Sequence, residues 1–191
     1  MYVTDEAELW GRARQGDGWA FAQLFDLHHA RIYGRALAMV GNVHEADEIA
    51  ASAFFELWRK RRSIPLVEGS IRPWLLVTTV NLSRNSRRSA ARYRGLLRNL
   101  PRPEHVAGTD DTDGFESNHR LTASLSRLTP VDAALLVLTV LEDVPVTEAA
   151  QAVGIKPATA RVRLHRARSR LRIELQDLSP DIHIATEGSA S

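Results

Sequence analysis

The chain has 191 residues, enough for one medium domain or two small ones, and 44% of them are hydrophobic, so a core can be buried. It contains no cysteine, which excludes disulfides and thiolate metal sites. The formal net charge is only +2, yet Arg59 to Pro103 holds twelve basic residues and a single acid, Glu68, and Lys156 to Arg172 holds seven basic residues and no acid.

Taken in order, the segments carry the helical period. Thr4 is placed to cap a short helix running to about Gln15, and Phe21, Leu24, Phe25, Ile32, Ala36 and Met39 line a second helix from about Gly18 to Val40. Asn42 with Glu45 three residues on reads as a capping box. It opens a helix to about Arg62, with Ile49, Ala53 and Leu57 and the pair Phe54 and Trp58 as apolar rows. Ser63 to Ser70 contains Pro65 and Gly69 and is expected to be a loop. Pro73 starts a fourth helix in which Trp74, Val77, Val80 and Leu82 give way to arginines, and Trp74, like Trp58, is expected in the core.

Residues 99–118 combine Pro, Gly and Asp with little apolar content and read as a flexible acidic linker. A second helical unit is expected over 119–178. Thr129, Pro130 and Asp132 start a helix whose Ala134, Leu135, Leu138 and Leu141 should pack beneath the segment from Asp143 to Arg172, and 179–191 reads as a disordered tail. The fold expected is therefore all-α: residues 1–98 and 119–178 as two small helical domains. Asp5, Glu6 and Glu8 interrupt the start, so no signal peptide is expected, and the apolar run from Ala133 to Leu141 is far short of the ~20 residues that span a bilayer. These features predict a soluble, cytoplasmic protein without membrane insertion.

The most specific stretch runs from Asp143 to Arg172. Ala149, Ala150 and Val153 make one apolar side, Gly154 suits a turn that needs positive φ, Ile155 packs into the crook and Pro157 fits the first position of a new helix. Ala160, Leu164, Ala167 and Leu171 form its inner stripe. A helix narrow on one side and cationic on the other is what a DNA groove admits, so the segment is expected to be a DNA-reading helix-turn-helix.

Three segments in this order and spacing resemble the extracytoplasmic-function group of bacterial sigma factors: EADEIAASAFFELW (Glu45 to Trp58), WLLVTTVNLSRNSRR (Trp74 to Arg88) and EAAQAVGIKPATARVRLHRARSRL (Glu148 to Leu171). The resemblance implies a four-helix sigma region 2 domain, a helix-turn-helix region 4 domain, and a subunit that brings core RNA polymerase to promoters and starts strand opening, with no covalent chemistry of its own. It implies as partners promoter DNA, the β′ clamp helices and β flap of the polymerase, and an anti-sigma factor. For the minus-thirty-five element it points to Arg161, His165 and Arg166, with Lys156, Thr159 and Arg163 on phosphates. For the minus-ten element it points to Asn81, to a base pocket in the loop Ser63 to Ser70, and to Arg84, Arg87 and Arg88 on the backbone. For polymerase it points to Asp47, Glu48, Ala51 and Phe55.

The chain departs from the family pattern at Ala51 and Ser52, where Gln and Glu are usual, at Thr78 and Thr79, at Asn85, and at Lys156 in place of a capping Ser. The alternative function is a helix-turn-helix regulator that binds duplex DNA without acting as a sigma subunit. Nothing in the spacing of His28, His29 and His44 favours a metal site, and no cofactor is expected.

Overall fold

A computed structural model of the chain describes residues 5–97, 124–125 and 127–175. Thr4, the expected linker 99–118 and the expected tail 179–191 lie outside the described residues. Seven α-helices are present among them: α1 (Glu6–Arg14), α2 (Gly18–Val40), α3 (Val43–Lys60), α4 (Arg72–Leu97), α5 (Pro130–Leu136), α6 (Val146–Ala152) and α7 (Pro157–Leu175). A π-helical turn, Val137–Leu141, continues α5.

The helix starts follow their local chemistry. Asp5 caps α1 by accepting from the Ala7 amide, and Asp17 caps α2 through the amides of Trp19 and Ala20. Asn42 accepts from the Glu45 amide at the start of α3 as expected, but only half of the box forms: the Glu45 carboxylate turns to the Ser86 hydroxyl on α4. Thr129 caps α5 through the Asp132 amide, with Pro130 in the first turn.

In the first unit α2 runs against α1, α3 and α4. Ala20, Leu24, Ile32, Ala36 and Met39 of α2 are buried, as are Ile49, Ala53, Phe54 and Leu57 of α3. Each large apolar side chain removed from water here contributes about 1.5–3 kcal/mol. Trp58 and Trp74, expected in the core, are each partly buried: Trp74 packs against the core cluster and Trp58 lies edge-on to Phe21.

In the second unit α5 and α6 pack on α7. Ala134, Leu135 and Leu138 are buried as the stripe requires, but Leu141 is 39% exposed, because the backbone has passed into π register at Val137 and no longer keeps the α-helical phase. The two units share one apolar core. Helices α5 and α6 also lie against α4, and Leu125, Leu128 and Val137 join the same cluster as Leu75, Leu76 and Val80.

Polar contacts reinforce this junction. Glu142, whose side chain is 1% exposed, accepts from Arg31 Nε at 2.6 Å and from Arg35 Nε at 2.8 Å and Nη2 at 2.5 Å. Arg35 Nη2 also reaches the Leu141 carbonyl at 3.3 Å. No helix among the described residues is long and apolar enough to cross a membrane, and none of their His, Asp and Glu side chains gather in threes that could hold a metal ion.

Candidate nucleic-acid and polymerase interfaces

Helices α6 and α7 meet at a tight turn. Gly154 has φ +74°, which an L side chain rarely adopts, and the Ile155 amide donates back to the Ala150 carbonyl at 2.9 Å, closing the end of α6. Ala160, Leu164, Ala167 and Leu171 are all buried, so the opposite side of α7 faces solvent. That outer side carries Thr159, Arg161, Val162, His165 and Arg166, with Lys156 at the helix start; every one of them is exposed. Val162, 52% exposed, does not stand out in the sequence, because an isolated apolar residue in a basic helix carries no periodic signal.

Arg163 departs from its group. Its Nε donates to Asp132 Oδ1 at 2.8 Å and its Nη2 to Thr129 Oγ1 at 3.1 Å. The guanidinium is thereby built into the cap of α5, and in this arrangement Arg163 braces the helix-turn-helix from behind instead of standing with the exposed cations.

The second basic surface is divided in the same way. Arg84, expected on the nucleic-acid backbone, is 2% exposed and donates to the carbonyls of Leu125, at 3.2 Å, and Leu128. Burial, together with the neighbouring Arg88 charge, holds its pKa below the ordinary arginine value, and Asp132 acts in the opposite direction. Arg87 Nη1 donates to the Met39 carbonyl at 2.6 Å, which ties α4 to the end of α2. Arg88 is exposed and Asn81 half-buried; the Asn81 Oδ1 is buried and accepts no hydrogen bond among the described residues.

The loop between α3 and α4 is ordered by its own tip. Val67 and Ser70 exchange both backbone hydrogen bonds at 3.0 Å, around Glu68 at φ +49° and Gly69 at φ +78°. Two successive positive φ values make the tight reversal that a two-residue loop requires. Ile64 and Val67 are buried beneath it, while Pro65, Glu68 and Gly69 are exposed.

On the far side of the first unit, an apolar groove between α2 and α3 is lined by Gly18, Phe21, Phe25, Ala51, Phe54, Phe55 and Trp58. Phe55 is 64% exposed at its edge, and Ala51, small where the family pattern has Gln, leaves the groove open. Phe21 packs edge-on to Trp58 with ring centroids 4.9 Å apart, and Arg61 stands 4.2 Å over the outer face of the same indole. Asp47 and Glu48 are exposed on α3, one turn from Ala51. His28 bonds to Glu6, and His29 stacks on Phe25 at 4.6 Å.

Among the described residues the regular elements are helices only, and they present a basic helix-turn-helix and a second helical unit with its own basic helix and an apolar groove, the surfaces of a nucleic-acid-binding protein. Residues 24–93 match the family model for sigma-70 region 2 and residues 118–171 match that for sigma-70 region 4. The chain is 30% identical over 172 residues to the RNA polymerase sigma factor CarQ of Myxococcus xanthus, spanning 90% of this chain and 98% of CarQ. It is 26% identical over 184 residues to the ECF RNA polymerase sigma factor SigW of Bacillus subtilis, spanning 87% of this chain and 95% of SigW. Among solved structures it shares the fold of CnrH, in a complex with the cytosolic domain of CnrY, with a TM-score of 0.62 and 21% identity over 92% of this chain and 100% of that one. The chain belongs to the extracytoplasmic-function group of the sigma-70 family of RNA polymerase sigma factors.

Proposed function

We propose that this sigma factor directs core RNA polymerase by gripping the minus-thirty-five duplex with the outer side of α7 and by capturing the melted minus-ten strand with the loop 63–70 and the face of α4 that carries Asn81 and Arg88. The single observation behind the first half is that outer side: Arg161, His165 and Arg166 exposed together, with no carboxylate from Lys156 to Arg172. Arg161 and Arg166 have the fork geometry for guanine O6 and N7, and Val162 between them suits a thymine methyl. Lys156 and Thr159 at the helix start hold phosphate, which fixes register and carries no base information. Nucleotide-joining chemistry belongs to the polymerase, and the site of action is the cytoplasm, where the polymerase is.

The groove of Phe21, Phe25, Phe54, Phe55 and Trp58, flanked by Asp47 and Glu48, receives the β′ clamp helices, and the second unit meets the β flap. An exposed aromatic at the rim of an apolar groove is the ordinary mark of a docking surface. CnrH is bound by the cytosolic domain of CnrY, and the sigma factor RpoE, whose structure with the anti-sigma factor NepR is from Bartonella quintana, resembles this chain with a TM-score of 0.52 at 19% identity. An anti-sigma factor of this chain would compete for the same surfaces.

Run-off transcription with purified core polymerase and a promoter library tests the assignment. Initiation that depends on this chain and on both promoter elements is expected. Tight duplex binding without polymerase, and no support of initiation, would instead select a regulator that acts alone. A smaller effect is expected at the start of α7: Lys156→Ser restores a side-chain cap and should add up to about 1 kcal/mol to the stability of the second unit in denaturant unfolding. The same change removes one phosphate contact, so the slope of log affinity against log salt should become shallower by about one.

A further inference from the structure

Helix α1 has no part in the contacts assigned above, yet one row of its side chains is committed to the loop that precedes α4. Glu6, Trp10 and Arg14 stand at four-residue intervals, hence on one face of the helix. Arg14 Nη2 donates to the Arg62 carbonyl at 2.9 Å, where the chain leaves α3. The buried Trp10 donates through Nε1 to the Ile64 carbonyl at 3.4 Å, two residues further on. Glu6 Oε1 closes the other end, accepting from the Ser70 hydroxyl at 2.9 Å and the Ile71 amide at 2.7 Å. Ser70 Oγ in turn accepts from the Arg72 amide at 3.0 Å, so the start of α4 is held through Glu6.

The carboxylate is itself fixed from behind. His28 Nε2 on α2 lies 2.9 Å from Glu6 Oε1, and His28 is 6% exposed. Burial raises the Glu6 carboxyl, but the bonds from His28, Ile71 and Ser70 outweigh it and hold the group below its ordinary value, so it is ionised at neutral pH. Between the two anchored ends, the tip has already given up its own freedom to the Val67 to Ser70 turn.

We infer that α1 is a splint for this loop, with Glu6 and Arg14 as positioning residues that set the shape of the base pocket without touching the nucleic acid. The inference rests on the reading of the loop 63–70 as the part that captures an unstacked base. A loop held at both ends loses little conformational freedom on binding, so its affinity and its discrimination between bases are set before the strand arrives. Splinting also explains why an ionised, half-buried carboxylate stands at a loop end that a simple serine cap would have satisfied.

The test uses holoenzyme reconstituted with full-length chain and fluorescent single-stranded oligonucleotides of the minus-ten region, with each of the four bases in turn at the captured position. Glu6→Gln and Arg14→Ala are each expected to reduce the preference for the best base over the others about tenfold, the effect of one or two net hydrogen bonds lost from the ordering of the loop. Affinity for core polymerase and for upstream duplex should stay the same, and Arg14→Lys, which keeps a donor able to reach the Arg62 carbonyl, should recover most of the preference. Arg14 is exposed, so its variants report even if Glu6→Gln folds poorly. Equal weakening toward all four bases, or unchanged preference in the Arg14 variants, overturns the splint. Leu66→Ala within the loop separates the two levels: if it too leaves base preference unchanged, the loop is not the pocket, whereas a response at Leu66 with none at Arg14 removes only the role of α1.

Discussion

Replacing Glu142 by alanine is expected to lower the unfolding free energy by about 3 kcal/mol and to let the two helical units separate while each keeps its helices. The size follows from the asymmetry of the site. The carboxylate is almost wholly out of water at 1% side-chain exposure, and it is the shared acceptor of Arg31 and Arg35. Removing one partner of a buried pair leaves the other charge uncompensated, which costs about 3–5 kcal/mol. Arg31, with its side chain 52% exposed, recovers its hydration, whereas Arg35, at 19%, does so only in part, so the lower end of that range applies. Denaturant unfolding gives the first number, and the distance between fluorophores on α3 and α7 gives the second. Arg31→Ala is the internal comparison: a half-solvated partner should cost under about 1 kcal/mol and leave the distance unchanged. An unaltered distance in Glu142→Ala would mean that the apolar contact of Leu125, Leu128 and Val137 with α4 holds the units together by itself.

Arg161→Ala is expected to cost about 1–3 kcal/mol of holoenzyme affinity for its promoter and to relax the base preference at a single minus-thirty-five position. Arg161 stands on the exposed side of α7, next to the solvent-facing Val162 and one turn from His165, where a guanidinium can enter a major groove. Its neighbour two residues on should behave differently. Arg163→Ala removes bonds to Asp132 and Thr129, so its effect should fall on the stability of the second unit and be similar across promoter sequences. Affinities measured on a set of single-base promoter variants, beside melting curves of the two proteins, separate the cases. Uniform weakening by Arg161→Ala across all variants would make it a phosphate contact.

These two arginines also show where sequence reading stops. Local chemistry is legible: Asn42, Thr129 and Pro157 announce helix starts, and the stripe Ala160, Leu164, Ala167 and Leu171 identifies the buried side of α7, because caps and periods depend on residues within one or two turns. The direction of an individual arginine is not. Arg84, Arg87, Arg161 and Arg163 look alike in a basic segment, and what distinguishes them is a partner distant in sequence: the Leu125 and Leu128 carbonyls for Arg84, Met39 for Arg87, Asp132 for Arg163. Glu142 and Glu6 escape notice for the same reason, since a single carboxylate in a helical or acidic stretch gives no hint that two or three distant donors converge on it. The partial exposure of Trp58 has a related origin, because an apolar row tells which side of a helix is greasy and not whether another element covers all of it.

The π-helical turn at Val137–Leu141 gives this architecture an unusual sensitivity to chain length. The Glu142 amide bonds to the Val137 carbonyl, five residues back, and the chain then reverses through Asp143 at φ +51°. Such a turn already holds one residue more than an α-helical path would, so a one-residue deletion is absorbed by a return to α-helical register, whereas one further inserted residue would swing Glu142 by about 100° around the axis. Composition, charge and hydropathy would scarcely change, while the carboxylate would leave both arginines. Gain of a single codon in this stretch is therefore a way for a lineage to release the two halves of the factor without altering any residue of α7.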